Sequence, residues 1–378
     1  MITGTAPMKK LKRPDISLII PIVLLSFFGT VMVYSAGYAY AYARYNDAFY
    51  FIKKQSLWYF VGLTIMIVTS KIRAEKFKKI TRPLYLLTLA LLLLVLLIGF
   101  VGNGAKRWIS IGPLTIQPSE IAKIAIILIL ADYFSNTESR LLSRKWKDRF
   151  LYGTLIPLLI ILVPIILVML QKHLSCIIIL SLIGISMITV SGADLKYISC
   201  FGALGVCGIT SLALFTDYTK DRITVWQNPE AYKLTGGWQT LQGLMAIGSG
   251  GLFGVGFGKS IMKHSYVSEP ANDMIFAILC EELGLFGALC TIATFVWLIG
   301  RGIKLSLRVH DSFLRLVGIG ICVKMAIQTL LNVAVVTNSI PNTGISLPFF
   351  SYGGSSLVML FFEMGMLISI TREAEIYK

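Results

Sequence analysis

The chain of 378 residues is 56% hydrophobic and only 14% charged, with a formal net charge of +16 at pH 7. Soluble domains usually carry about 25% charged residues, so this composition excludes an ordinary soluble enzyme. The basic excess does not indicate nucleic-acid binding, because Lys and Arg cluster in short segments between long apolar runs. The six cysteines fall inside apolar runs without a CxxC pair, so neither a zinc site nor a disulfide framework is expected.

Apolar runs long enough to cross a bilayer follow one another along the chain. We place ten spans, centred near residues 26, 61, 91, 127, 160, 182, 206, 286, 325 and 361. The first run, from about Ile16, is too long for a cleaved signal peptide and is expected to remain as an anchor. The sequence therefore predicts an all-α polytopic membrane protein with ten transmembrane helices, in which residues 1–378 form a single membrane domain.

The loops predict an orientation for these spans. With the N-terminus in the cytoplasm, the inside segments, among them 71–82, 138–149 and 300–315, carry about twice as many Lys and Arg as the outside segments. Both termini are then cytoplasmic, with residues 1–14 as a tail. Residues 217–271 become a large, ordered extracytoplasmic loop between helices 7 and 8. An alternative is that the basic segments bind acidic lipids.

The glycine-rich stretch "SGGLFGVGFGKS" (249–260) ends like a nucleotide-binding loop. A Walker P-loop needs glycine where this chain has Phe253, so that interpretation fails. The glycines would still let backbone N–H groups approach a phosphate, with Lys259 and Lys263 close by. The alternative is a close-packed re-entrant turn.

The stretch "NGAKRWISIGPLTIQPSEIAKIAIILILADYF" (103–134) runs from an outer loop into span four. Glu120 and Lys123 are three residues apart, so they share a helix face and can pair. Charges inside a membrane are rare and often functional, but a structural ion pair would explain the same spacing. Arg107 is interpreted either as an interfacial anchor or as a cation placed over an anionic substrate.

Carboxylates cluster in "SEPANDMIFAILCEELG" (268–284), although the whole chain has only 19 of them. Asp273, with Glu269 nearby, lies at the outer mouth of span eight, where a carboxylate can act as a base. Glu281 and Glu282 lie roughly 12–14 Å deeper and need partners such as Lys324, or must be protonated. A structural role is favoured for this deeper pair.

The last outer loop, "NVAVVTNSIPNTGISLPFFSYGGSSL" (332–357), is rich in hydroxyl groups and in turn-forming proline and glycine. Its hydroxyls, including that of Ser351, suit a sugar or phosphate ligand. A plain connecting loop is the alternative.

These stretches, together with "GTVMVYSA" (29–36) and "GWQTLQGLMAIGSGG", resemble the SEDS family (shape, elongation, division and sporulation), and most closely its FtsW/SpoVE branch. The resemblance covers nearly the whole chain. It implies ten membrane helices and peptidoglycan glycosyltransferase activity on lipid II. It also implies an essential aspartate at Asp273, with Glu269, Glu120 and Lys123 matching other charged positions of the family. His173 stands where the family pattern has an acid.

We therefore expect a bacterial plasma-membrane enzyme that polymerises lipid II at the outer face during cell division or sporulation. Asp273 is the predicted catalytic residue, and the predicted substrate-binding residues are Glu269, Glu120, Lys123, Arg107, Lys259, Lys263 and Ser351. The negative charge of the departing diphosphate would be offset by Lys, by Arg or by a divalent cation, Mg or Mn. Such a cation would be bound through phosphate oxygens, since the sequence has no metal-ligand spacing.

The resemblance also predicts partners for the chain. They are lipid II and the growing glycan strand, a class B penicillin-binding protein, and other membrane proteins of the division or elongation machinery, with no nucleic acid. Two alternatives to the enzyme remain, a lipid II flippase and a membrane scaffold of the division complex.

Overall fold

The computed structural model describes residues 13–102, 105–111, 114–141, 145–194, 196–197, 199, 217–264, 267 and 269–374. Their helices are α1 (Ile16–Tyr45), α2 (Tyr50–Lys71), α3 (Lys76–Ile98), α4 (Pro118–Leu141), α5 (Trp146–Phe150), which continues through a π-helical turn (Leu151–Leu155) into α6 (Ile156–Leu170), α7 (Leu174–Val190), α8 (Asp217–Gln227), α9 (Trp238–Gly250), α10 (Ile275–Ser306), α11 (Ser312–Val336) and α12 (Gly354–Thr371). Nine predicted span centres fall within these helices. The tenth, near residue 206, lies outside the described residues.

Membrane-spanning character is confirmed by the helices themselves. Seven helical stretches of the described chain are long and apolar enough to cross a bilayer, judged by length and composition. Helix α7 is apolar but has only 17 residues. The chain is thus a mostly helical, multi-pass membrane protein, and the exact count of ten spans remains a prediction.

A small antiparallel sheet lies between α3 and α4 and was not predicted. Its strands are β1 (Phe100–Gly102), β2 (Ala105–Ile111) and β3 (Leu114–Ile116), in the order β1-β2-β3. Ile109 is paired with Ile116 across β2 and β3. The segment between α3 and α4 is too short and too rich in glycine for its sequence to predict strands. Strand pairing nevertheless satisfies the backbone N–H and C=O groups of this segment, which has no helical hydrogen bonds.

Helices α2 and α12 approach each other closely because glycines stand at their contact. A Cβ on Gly62 would lie 2.3 Å from the Phe361 ring, and one on Gly365 would lie 2.7 Å from the Met66 carbonyl oxygen. Small residues let helix backbones come together where van der Waals packing rather than water drives association. These contacts bury Phe361 in the centre of the bundle.

One end of the bundle, here called the site end, gathers the connections α1–α2, α3–α4, α6–α7, α8–α10 and α11–α12. Hydrogen bonds join these connections to each other rather than only to their own helices. Arg107 Nη2 donates to the Lys172 carbonyl (2.6 Å), and the Tyr352 amide donates to the Ala271 carbonyl (2.8 Å). At the site end, these bonds join the α3–α4 connection to the α6–α7 connection, and the connection before α10 to the α11–α12 connection.

The opposite end carries the start of α1 and the last turns of α10. Arg301 pairs with Asp15 at 2.5 Å, and Trp297 Nε1 donates to the Ser17 carbonyl at 3.2 Å. Arg and Trp side chains at such positions are typical of membrane–water boundaries. This ion pair marks the boundary at the far end of α10.

The two deep glutamates of α10 are anchored by the loop that precedes the helix. Glu282 accepts from Lys263 Nζ at 2.7 Å and from Ser35 Oγ, and all three side chains are buried. Glu281 accepts from Ser260 Oγ and from the Ile261 amide (2.8 Å). The structural role predicted for this pair matches these contacts.

The partner predicted for the deep glutamates was wrong. Lys324 pairs with Glu363 of α12 at 2.5 Å, not with Glu281 or Glu282. The separation of Lys324 and Glu363 along the chain does not indicate that α11 and α12 bring their side chains together. The partner of Glu282 is instead Lys263, which lies on the loop that folds back onto α10.

We expect Lys263→Met to lower the free energy of unfolding by about 3–5 kcal/mol, because Glu282 would be left buried without its cation. Thermal unfolding of the purified protein in detergent measures this. Lys259→Met, four residues away on an exposed side chain, is the matched control and should leave stability unchanged. Equal melting temperatures for the two variants would contradict a structural role for the Lys263–Glu282 pair.

Candidate functional site

Asp273 lies in the turn that immediately precedes α10, at the site end. Its carbonyl oxygen accepts from Asn332 Nδ2 at 2.9 Å, and the same amide nitrogen donates to the Ile345 carbonyl at 2.7 Å. Asn332 is completely buried on α11. One side chain therefore fixes the Asp273 backbone and the α11–α12 connection relative to each other.

The Asp273 carboxylate lies between α9 and the α11–α12 connection. Gln239 Nε2 is 3.4 Å from both of its oxygens, at the long limit for a hydrogen bond. A Cβ on Gly344, which has a φ of +70°, would stand 3.6 Å from Oδ2. No ion pair within the described ranges involves Asp273, although the backbone amides of Asp273 and Met274 also donate to its carboxylate.

Burial raises the pKa of Asp273 to about 6, and the negative charge of Glu269 adds to the increase. Glu269 has a left-handed backbone with a φ of +54°, and its carboxylate accepts from Asn272 Nδ2. A carboxylate with a pKa this near neutrality combines sufficient ionisation at pH 7 with greater basicity, the balance that general-base catalysis needs.

Buried polar atoms without a hydrogen-bond partner among the described residues include three at the site end: Arg107 Nε, His173 Nδ1 and Thr343 Oγ1. The α6–α7 connection brings them together, since Lys172 accepts from Arg107 and Ser175 Oγ donates to the Thr343 carbonyl. Thr343 precedes the glycine that faces Asp273.

These donors favour an anionic ligand. Arg107 can only donate, and a threonine hydroxyl is able to do so. Burial lowers the pKa of His173 to about 3, with the Arg107 charge adding to the decrease, so the ring is neutral and one nitrogen carries a proton. Buried polar atoms are nearly always paired in proteins, so this cluster has the character of a binding site for phosphate or carboxylate oxygens.

A polar cavity lies beneath the α11–α12 connection. Its lining includes Glu120, Lys324, Gln328, Ser346, Ser351 and Ser356. Glu120 pairs with Lys123 at 2.7 Å, which confirms the contact predicted from their spacing. Glu120 of α4 and Lys324 of α11, each one half of an ion pair, thus line one space inside an otherwise apolar bundle.

Other predicted substrate-binding residues are placed less favourably for a ligand. Ser351 Oγ accepts from the Leu347 amide (2.7 Å) and donates to the Asn272 carbonyl (2.8 Å), so it holds the loop beside Asp273. Lys263 is fully buried against Glu282, a position that does not favour the predicted phosphate contact. Lys259 is exposed at the surface.

Within the described part of the chain, no group of three or more His, Cys, Asp or Glu side chains is arranged to hold a metal ion. The carboxylate whose charge acts on His173 in the donor cluster is Glu120. A cation that entered with a diphosphate would therefore depend mainly on phosphate oxygens for its ligands.

Sequence reasoning missed Gln239, Asn332 and Thr343. Asn332 carried a signal, because a buried amide in an apolar helix needs a partner. Gln239 and Thr343 gave none, since each is one polar residue among many in a loop-rich stretch. His173 was noted only as a departure from a family pattern, without its position beside Arg107.

The chain matches known proteins over nearly its whole length. A family model described as "Cell cycle protein", for FtsW, RodA and SpoVE, matches residues 16–376. Stage V sporulation protein E of Bacillus subtilis is 37% identical over 365 residues, covering 96% of this chain and 98% of the relative. A probable peptidoglycan glycosyltransferase FtsW of Geobacter sulfurreducens is 34% identical over 366 residues, covering 96% of each.

Solved structures share the fold. A chain from a peptidoglycan synthase complex, described as coordinating polymerization and crosslinking, superposes with a TM-score of 0.79 at 25% identity, covering 95% of this chain and 98% of that one. The rod shape determining protein RodA of Thermus thermophilus gives a TM-score of 0.70 at 25% identity, covering 96% and 97%. On the family match and these relatives, the chain belongs to the FtsW/RodA/SpoVE family.

Proposed function

We propose that this protein is a peptidoglycan glycosyltransferase that joins lipid II units into glycan strands. The observation that carries the proposal is the buried Asp273 carboxylate between Gln239 and Gly344, with a pKa near 6, at the same end of the bundle as buried donors that suit a phosphate group. The names of the curated FtsW relatives support the same activity.

In this reaction Asp273 accepts the proton of the acceptor sugar's 4-hydroxyl. The oxygen then forms a bond to the anomeric carbon of the strand attached to the second lipid carrier. The bond from that carbon to the diphosphate oxygen breaks, the diphosphate leaves with the electron pair, and the anomeric configuration is inverted. Gln239 and the Gly344 backbone flank the carboxylate and limit the directions from which a hydroxyl can approach.

The leaving diphosphate gains negative charge as the bond breaks, so donors aimed at it stabilise the transition state. Arg107, His173 and Thr343 are the residues we assign to this role. Mg²⁺ or Mn²⁺ would enter with the diphosphate and share its charge. Glu120 and Lys123 line or border the cavity beneath and are assigned to the sugar–peptide part of the substrate.

A lipid II flippase would need a polar path across the bundle. Below the cavity, α4 residues from Ile124 to Leu128 are completely buried. A Cβ on Gly320 of α11 would lie 2.6 Å from Ile127 and 2.8 Å from Met187, so α4, α7 and α11 leave no room there. This packing favours the enzyme.

The partner we propose is a transpeptidase of the class B penicillin-binding protein type. The fold match to a complex that coordinates polymerization with crosslinking supports this assignment. A strand made at the site end would emerge beside such a partner. Other division or elongation membrane proteins would attach to the same assembly.

Asp273→Asn should reduce glycan polymerisation by about 10²–10⁴-fold, because an amide cannot accept the proton. Purified protein with lipid II, scored for polymer with and without a class B penicillin-binding protein, measures this. Lys233→Gln, on the exposed turn before α9, is the control. Full polymerisation by Asp273→Asn would refute the base assignment.

The pH profile distinguishes a base from a structural aspartate. Wild-type kcat/KM should fall as pH decreases through about 6, because protonation removes the base. Glu269→Gln should move this acidic limb to lower pH, since it removes a charge that raises the Asp273 pKa. An unmoved limb would mean that another group titrates.

Orientation is part of the proposal, with both termini cytoplasmic and the site end outside. Lys145→Cys and Thr235→Cys, each in a cysteine-free background, should differ in intact cells stripped of cell wall. A membrane-impermeant thiol reagent should label position 235 and not position 145. The reverse pattern would place Asp273 on the cytoplasmic face and remove the enzyme's access to outer-leaflet substrate.

A further inference from the structure

The helical backbone of α10 is interrupted about one third of the way along, and a loop segment forms hydrogen bonds with the residues on both sides of the interruption. Gly284 has a φ of +66° and a ψ of −168°, which is not helical. The Glu281 and Glu282 carbonyls accept instead from the amides of Val255 (2.9 Å) and Gly256 (3.1 Å). The amides of Leu285 and Phe286 donate to the carbonyls of Gly251 (2.9 Å) and Leu252 (3.0 Å).

Four backbone groups on the two sides of the break are thus satisfied by residues 251–256. Here residues 250–261 are called the hook. The approach is backbone to backbone and requires glycine on both sides. A Cβ on Gly254 would lie 2.2 Å from the Glu282 oxygen, and one on Gly284 would lie 2.4 Å from the Gly254 nitrogen. Non-helical backbone at membrane depth is tolerated only when protein groups satisfy it in this way.

The outer side of the hook is apolar and unpartnered within the described chain. Leu252, Phe253, Phe257 and Ile261 are 65%, 78%, 48% and 63% exposed. Phe253 lies 6.5 Å from Phe286 of α10, centroid to centroid. Its inner side is polar and fixed, through Ser260 to Glu281.

The exposed face of α10 continues from the hook toward the opposite end. Leu285, Phe286, Leu289, Val296 and Trp297 are all more than half exposed and recur at helical spacing. In a protein of this class such a stripe faces lipid. The hook therefore extends an existing bilayer-facing surface.

The depth of the hook in the bilayer can be derived from the length of α10. Its Arg301–Asp15 ion pair marks the opposite boundary of the hydrocarbon. About 20 helical residues span a core of roughly 30 Å, which puts the boundary at the site end near Glu281. Phe286, and Phe253 beside it, then lie roughly 7 Å inside the hydrocarbon.

We propose that the hook is inserted in the bilayer leaflet at the site end, with Leu252, Phe253, Phe257 and Ile261 in contact with lipid acyl chains. Lys259 is exposed on the same segment, and its long side chain can reach back to the phosphate layer. The hook thereby holds the loop of Asp273 at a fixed height relative to the membrane surface. This role goes beyond the proposed chemistry and does not depend on it.

A nitroxide label at Phe253→Cys, in a cysteine-free full-length chain in lipid nanodiscs, tests the insertion. Its collision rates with oxygen, which partitions into hydrocarbon, and with a water-soluble nickel chelate report its depth. Leu234→Cys is the matched control, because Leu234 is an apolar side chain, 89% exposed, on the turn between α8 and α9. Ile261→Cys serves as a second hook position if the first variant does not fold.

The oxygen-to-nickel collision ratio should be several-fold higher at positions 253 and 261 than at position 234. Equal ratios would show that the hook lies in water and would overturn the proposal. Low collision rates with both reagents at the hook positions would show that protein, such as a second copy of the chain, covers the segment, which would overturn it as well. Each variant is measured only if its melting temperature equals that of the unlabelled chain.

Discussion

The structure depends on one constraint, that charges and free backbone groups within the bilayer must be satisfied by the protein itself. The constraint explains why each deep charge has a dedicated partner: Glu282 with Lys263, Glu363 with Lys324, and Glu120 with Lys123. It also explains the broken α10, whose freed amides and carbonyls are bonded by a second segment of chain. The Glu120–Lys123 pair lies within α4, whereas the Lys324–Glu363 pair joins α11 to α12 and the hook joins its loop to α10, so satisfying the constraint also helps to determine which elements pack together.

The candidate site shows where that rule is relaxed. The Asp273 carboxylate has no ion-pair partner in the described chain and only a long contact to Gln239, and the Arg107 Nε, His173 Nδ1 and Thr343 Oγ1 atoms have no protein partner there. The scaffold around them is rigid, because Asn332 holds both the aspartate backbone and the α11–α12 connection. Weakly engaged side chains on a fixed frame are the arrangement expected where a ligand supplies the missing bonds.

The sequence alone predicted the helical spans, the contact between Glu120 and Lys123, and the position of Asp273 at the mouth of α10. These features follow from local rules, namely hydrophobic run length and helical spacing. The partner of Lys324 was not predictable in this way, because pairing between α11 and α12 depends on how the helices pack. The same limit concealed Thr343 and Gln239, and it left Lys263 assigned to a phosphate although the fold pairs it with Glu282. The short β1-β2-β3 sheet was not predicted because its strands show no alternation of apolar and polar residues. They form only because strand pairing satisfies the backbone N–H and C=O groups of a loop.

The close contact of Gly250, Gly254 and Gly284 has a consequence for how the sequence can change over time. A Cβ on Gly250 would lie 2.0 Å from the Cys280 oxygen, so both ends of the intervening chain are fixed against α10. An insertion or deletion within residues 250–256, or within residues 280–286, would shift these contacts out of register and expose the broken helix. The loop that joins these two segments can change in length without moving either of them. Length variation among related chains should therefore spare the two segments that hold the break together.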